Sequence, residues 1–223
     1  MTFSIEEFKH QGLVHGGARP SQFSVYIPDF PNLSLNGGAA QPSGTTISTK
    51  IRFLAKAASL PPSNIDYIDV PYMSRKIRVN GDRTFSDWAI TVMNDEDFMI
   101  RRAFEGWHQA INAREQNLQA GEGLSGPHFY KRDILVTQYG KTGQSPGGGQ
   151  GIITGSDAQP IYEYTLVGAF PISIDAISLD WERINEVEQF DVTFTYDYWE
   201  PVNISGMGLQ NGAAPGPFVT ISS

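Results

Sequence analysis

From Phe190 onward, apolar and aromatic side chains occupy every second position: Phe190, Val192, Phe194, Tyr196 and Tyr198. Between them lie Asp191, Thr193, Thr195 and Asp197. A period of two places one set on one face of a strand and the other set on the opposite face. Phe, Val, Thr and Tyr also suit a pleated, half-buried surface. The stretch 190–200 therefore predicts a long antiparallel strand. It should close at Pro201, which brings no N–H to a ladder.

The remaining chain reads as further short strands around one helix. Ser4 with Glu7 forms a capping box for a helical turn over 4–9, and Gly16-Gly17 ends it. Residues 23–27 alternate and predict a first strand; 28–44 is a Pro-, Gly-, Asn- and Ser-rich loop. A second strand is expected over 47–57, with Ile51, Phe53, Ala55 and Ala57 on one face. Lys50, Arg52 and Lys56 would lie on the other face. Residues 63–70 read as an extended connection. Asn80-Gly81, a strong hairpin-turn signal, should join the basic stretch 72–79 to a strand over 84–93 carrying Trp88, Ile90 and Val92.

A helix is expected over about 95–117. Asn94 would cap it, and Asp95, Glu96 and Asp97 would place negative charge at its positive dipole end. Ile100, Phe104, Trp107 and Ile111 share one face at helical spacing and would cover a sheet. Strands over 130–139 and 161–170 flank a Gly-rich loop at 141–160; 172–179 alternates again. The tail 201–223 is rich in Gly and Pro.

Composition removes whole classes of function. With no Cys among 223 residues, disulfides, thiol catalysis and cysteine-ligated zinc are out. The net charge of −8 disfavours a chain that grips DNA through its phosphates. No apolar run is long enough to span a bilayer. The first ten residues carry Glu6 and Glu7 and lack the basic and apolar regions of a secretory signal.

No catalytic constellation emerges. Gly143-Gln144-Ser145-Pro146-Gly147 has the spacing of a nucleophile elbow, but that elbow needs the N–H of the residue after the serine. Here that residue is Pro146, which has none. The glycines at 147–151 lack the Gly-Lys-Ser/Thr ending of a phosphate loop, and the four His residues lack zinc spacing. Asn32 and Asn203 open glycosylation sequons that mean nothing without a secretory route. No cofactor, metal or catalytic residue is expected.

Three blocks carry a family likeness: VPYMSRKIRVNGDRTFSDWAITVMNDED at 70–97, YKRDILVTQYG at 130–140 with IYEYTLVGAFP at 161–171, and DWERINEVEQFDVTFTYDYWE at 180–200. In order and spacing they resemble the tail tube proteins of contractile-tailed bacteriophages. The resemblance covers about 22–200 and makes that stretch the expected tube domain, between an arm at 1–21 and the tail at 201–223. It implies a mainly β subunit, an antiparallel sandwich or barrel with one packed helix. The inner strands of such subunits join into a wide barrel in a hexameric ring, and rings stack into a hollow tube.

Implied partners are other copies of the chain, a tail sheath protein, a baseplate tube initiator and a tail terminator. DNA would pass through the lumen without specific binding, in a virion assembled in the host cytoplasm. A baseplate initiator and a type VI-like tube ring are the alternatives. Within this frame, Arg75, Lys76, Arg78 and Arg83 on a basic hairpin are candidate inter-subunit contacts. Asp95, Glu96 and Asp97 are candidate acidic partners on the next copy, because a heterologous contact needs two different, complementary patches.

Overall fold

The computed structural model describes residues 18–28, 30–31, 43–115, 126–140, 160–182 and 184–202, with Ile5. The chain forms two compact units. The larger takes 24–136 and 164–200; the smaller takes 1–23, 137–163 and 201–223. The described elements run β1 (Phe23–Tyr26), α1 (Gly44–Leu54), β2 (Ala55–Ala58), β3 (Asn64–Tyr72), β4 (Arg75–Thr84) and β5 (Trp88–Met93). They continue as α2 (Met99–Ile111), α3 (Pro127–Tyr130), β6 (Arg132–Tyr139), β7 (Pro160–Ile174), β8 (Gln189–Thr195) and β9 (Tyr198–Val202). A seven-stranded sheet has the order β1-β6-β7-β8-β5-β2, with β9 also on β7, and β3 and β4 form a separate ladder. The subunit is mainly antiparallel β, as expected.

The alternation at 190–196 builds the core of the larger unit. Phe190, Val192, Phe194 and Tyr196 are buried. Across the ladder, Phe190 faces Val92, Val192 faces Ile90 and Phe194 faces Trp88. Helix α2 lays Ile100, Phe104 and Trp107 over this face, all buried. Phe30, Phe104, Trp107 and Phe194 meet with ring centroids 5.2–6.4 Å apart, the separations that aromatic pairs favour. The indole N–H of Trp88 donates to the Ser59 carbonyl at 2.6 Å and that of Trp107 to the Tyr130 carbonyl at 2.8 Å. Neither buried tryptophan is left with an unmet donor.

Four expectations are corrected. Residues 44–54 form a helix, α1, and only 55–58 a strand. Ile47, Ser48 and Ile51 are buried at helical spacing, and Phe53 turns outward. Ser43 caps this helix by accepting from the Thr46 N–H at 3.4 Å, and Ser48 donates its hydroxyl to the Ile27 carbonyl at 2.5 Å. Packing and capping outweigh a pattern that also fitted a period of two.

Helix α2 is shorter than expected. Its cap position is Phe98, with a left-handed backbone at φ 51°. Asp97 instead accepts from the Met99 N–H at 2.9 Å, while Asn94 donates its side-chain amide to Glu188 at 2.9 Å. The expected extended connection 63–70 is, from Asn64 on, part of β3. The final strand, moreover, is interrupted: Tyr196 and Asp197 separate β8 from β9, and Pro201 lies inside β9. Among the described residues β9 pairs with β7 alone, and such an edge strand tolerates the missing N–H.

The interruption at 196–197 sits beside a built corner. Gly168 in β7 has φ +67°, and a Cβ there would come 2.5 Å from Asp197 Oδ2. Asp197 donates its backbone N–H to the Val167 carbonyl at 3.0 Å and accepts from Lys131 Nζ at 2.7 Å. Asp133 accepts the Gly168 N–H at 3.0 Å.

In the smaller unit, the Tyr139 N–H donates to the Gln22 carbonyl at 2.9 Å. Thr137 donates its hydroxyl to Glu163 at 2.7 Å. The expected N-terminal turn (Ile5 aside), most of the loop 28–44, the loop 141–159 with Ser145 and the tail from 203 lie outside the described residues.

Candidate assembly surface

The β3–β4 hairpin has almost no core of its own. All nine residues of β3 are exposed, and nine of the ten in β4. Its turn is Met73-Ser74, both at positive φ (44° and 63°), the two-residue geometry whose twist matches antiparallel strands. The Asn80-Gly81 pair instead occupies a bulge. The register shifts between Ile65 and Tyr67, and a Cβ on Gly81 would lie 2.9 Å from the Asp66 carbonyl oxygen. Glycine is needed there for close approach rather than for a turn.

That turn sets the register, and the register sorts the side chains. Ile68 faces Val79, Val70 faces Ile77 and Tyr72 faces Arg75. Directly opposed residues share a face, so one face carries Ile68, Val70, Tyr72, Ile77 and Val79, all exposed, with Arg75 at its end. The other face pairs Asp69 with Arg78 and Tyr67 with Asn80. There Asp69 accepts from Lys76 Nζ at 3.2 Å and lies 3.7 Å from Arg78 Nε. The Arg78 guanidinium sits 4.5 Å from the Tyr67 ring centroid.

The sequence therefore named the charges but misplaced the hairpin: 72–79 pairs with 64–72 about a turn at Met73-Ser74, not with 84–93 about Asn80-Gly81, and the apolar face escaped notice. Of the four basic residues, Lys76 and Arg78 meet Asp69 on the same hairpin. Arg75 and Arg83 have no ion pair among the described residues. The acidic cluster stands elsewhere, at the entry to α2. Lys50 of α1 holds Asp95 at 2.6 Å and Asp97 at 2.5 Å, while Glu96 makes no ion pair among the described residues. Hydrogen bonds to Asp95 and then Asp97 hold the Lys50 ammonium above its ordinary range. The bond from Lys50, with the Met99 N–H, holds the Asp97 carboxyl below its own. These charges stitch α1 to the β5–α2 connection.

Among the described residues no group of three or more His, Asp or Glu is placed to hold a metal ion. No described helix is long and apolar enough to cross a membrane. The chemistry on view is that of surfaces: an open sheet with β1 and β2 at its ends and a hairpin with an uncovered apolar face. Exposed edges and faces of this kind recruit other chains. They define a mainly β subunit with an uncovered apolar ladder.

Comparison with known proteins agrees. The phage tail tube protein family model matches residues 18–202. Tail tube protein gp19 of Enterobacteria phage T4 is 37% identical over 79% of this chain and all of that protein. Its counterpart in Enterobacteria phage T6 is 36% identical over the same shares. The chain belongs to the phage tail tube protein family and is a structural subunit of a phage tail tube.

Among solved structures, the anti-feeding prophage tube terminating cap aligns with a TM-score of 0.50 at 15% identity, covering 84% of this chain and 92% of that one. A sheath/tube terminator of an extracellular contractile injection system aligns at 0.50 and 13%, covering 85% and 99%. At such identities the likeness is one of fold.

Proposed function

We propose that the chain closes into hexameric rings that stack into a hollow tube, a conduit for phage DNA inside a contractile sheath. In this reading 22–200 is the tube-forming domain, and the protein works by assembly and catalyses nothing. The observation that carries it is the amphipathic β3–β4 hairpin, whose five exposed apolar side chains require a protein surface. An isolated hairpin of two strands is marginal in water, so this one gains order when a neighbouring copy covers it.

Ring closure follows from the same logic. A sheet with free ends loses them only by pairing around a circle. The net charge of −8 fits a lumen along which DNA slides without sticking. The solved structures of similar fold are a tube terminating cap and a sheath/tube terminator. Sheath, initiator and terminator proteins are accordingly the proposed partners, and the host cytoplasm the proposed place of assembly. Arg75, Lys76, Arg78 and Arg83 are proposed to orient the hairpin on its neighbour, and Asp95, Glu96 and Asp97 remain a candidate acidic contact.

Electron microscopy of the purified chain over a concentration series tests this. Uniform hollow tubes are expected, lost in Ile68→Asp and weakened when Arg75, Lys76 and Arg78 are all changed to Glu. Single rings that never stack would favour a baseplate initiator. A monomer at every concentration, unresponsive to added baseplates, would overturn the reading.

A further inference from the structure

We infer that the apolar face of the β3–β4 hairpin is received, on a neighbouring copy of this chain, by the segment 175–188, with Trp181 as its anchor. The inference rests on the tube reading and names the two surfaces that meet.

Tryptophan makes the first argument. Three of the four indoles donate to a backbone carbonyl: Trp88 to Ser59, Trp107 to Tyr130 and Trp199 to Pro62. Trp181 does not; it is 101% exposed and has no partner among the described residues. Leu179, Ile184 and Val187 are exposed beside it in sequence. A large aromatic ring left in water among aliphatic side chains has the chemistry of an interface anchor.

The described residues of the segment, 175–182 and 184–188, are held in place, which separates a docking surface from a frayed loop. Asp175 donates its N–H to the Asp191 carbonyl at 2.9 Å, and its own carbonyl accepts from Arg101 at 3.0 Å. At the far end, the Asn94 N–H donates to the Glu188 carbonyl at 2.8 Å. Between them the Glu182 N–H donates to Asp180 Oδ1 at 3.0 Å. A preorganised surface loses little freedom when it binds.

Charge chooses the occupant. Residues 175–188 hold five acids and one base. The hairpin, 64–84, holds four bases and three acids in a chain that is acidic overall. Asp69 already serves Lys76 and Arg78, which leaves Arg75 without an ion pair among the described residues, on the apolar face beside Tyr72. The acids at Asp95 and Asp97 are already engaged by Lys50. An apolar face with a cation at its end thus matches an apolar segment studded with carboxylates. Within one chain both surfaces stay exposed, so a second copy must bring them together. Because the two surfaces differ, the contact is heterologous and propagates from subunit to subunit.

The test places p-benzoylphenylalanine at position 181 and mixes that chain with excess unsubstituted chain labelled with nitrogen-15. After assembly and irradiation, cross-linked peptides are read by mass spectrometry. The expected cross-links join position 181 to residues 64–84 of a labelled copy. Trp181→Glu, on an exposed site that leaves folding intact, should raise the concentration needed for assembly by at least about ten-fold, a loss of about 1.4 kcal/mol per contact. Combining it with Arg75→Glu should add little further loss. Tubes whose cross-links map elsewhere, or Trp181→Glu tubes forming at the unsubstituted concentration, would overturn the inference while the tube reading stands. Failure of the unsubstituted chain to form any polymer would instead strike that reading.

Discussion

The β5–β8 ladder and the β3–β4 ladder are both antiparallel and both alternate, yet they are opposites in burial. In the first, Trp88, Ile90, Val92, Phe190, Val192 and Phe194 are all buried, with Phe104 and Trp107 of α2 packed on Phe194. In the second, Ile68, Val70, Tyr72, Ile77 and Val79 form an equally apolar face with nothing over it among the described residues. The pattern of residues is the same; what differs is the presence of a lid within the chain. A period of two announces that one face wants cover. Whether the cover comes from the same chain or from another is decided by which element packs there. On the proposed reading, the uncovered face is the one that a second copy covers.

The comparison breaks most visibly under truncation of the lid. Trp107→Ala should cost about 3–5 kcal/mol, the range for deleting a buried aromatic side chain. Urea unfolding of the chain below its assembly concentration measures this directly. Assembly should fail as well, because the body that carries the hairpin is no longer stable. A loss below about 1 kcal/mol would mean that α2 is not what buries β5 and β8.

Gly168→Ala sharpens the comparison from inside the body. At φ +67° a Cβ is strained whatever surrounds it, and here it also meets the Asp197 carboxylate. The expected loss is about 1–3 kcal/mol for a non-glycine residue forced into this region. The same unfolding experiment reads it. Adding Asp197→Asn should not rescue the variant, since the backbone strain remains. Full rescue would assign the cost to the side-chain clash alone.

Legibility follows the same division. The core strands were readable because Phe190, Val192 and Phe194, like Trp88, Ile90 and Val92, satisfy a single period. At 47–57 two periods competed. Ile51, Phe53 and Ala55 fit a strand, whereas Ile47, Ser48 and Ile51 fit a helix; the Ser43 cap and the Ser48 bond to Ile27 decide for the helix. The cap is local, three residues along the chain, but the bond to Ile27 reaches back 21 residues, which a linear reading does not supply.

The hairpin was misplaced for a related reason. Asn80-Gly81 has turn chemistry but serves a bulge, and Met73-Ser74, which does turn, carries no turn signal. Since moving the turn re-registers every pair, the sorting of Ile68, Val70 and Ile77 onto one face was out of reach. Charge needs no register to be seen, so Arg75, Lys76, Arg78 and Arg83 were named first and the apolar face only from the structure. The ion pairs of Lys76 and Arg78 with Asp69 are exposed, and such pairs contribute about 0–1 kcal/mol. They orient the hairpin rather than hold it.

The smallest effect makes the sharpest distinction. In the unassembled chain, Ile68→Ser and Val79→Ser should each move unfolding stability by no more than about 0.5 kcal/mol, because side chains already in water lose no burial when replaced. The same substitutions should abolish or strongly impair tube formation. Hydrogen exchange gives the matching picture. Amides of β3 and β4 should exchange much faster than those of β5 and β8 in the free chain, since local opening exposes no core there. On assembly their protection should rise toward that of the body. Equal protection in both states would mean that the hairpin is already covered before any second copy arrives, and the contrast between the two ladders would fall.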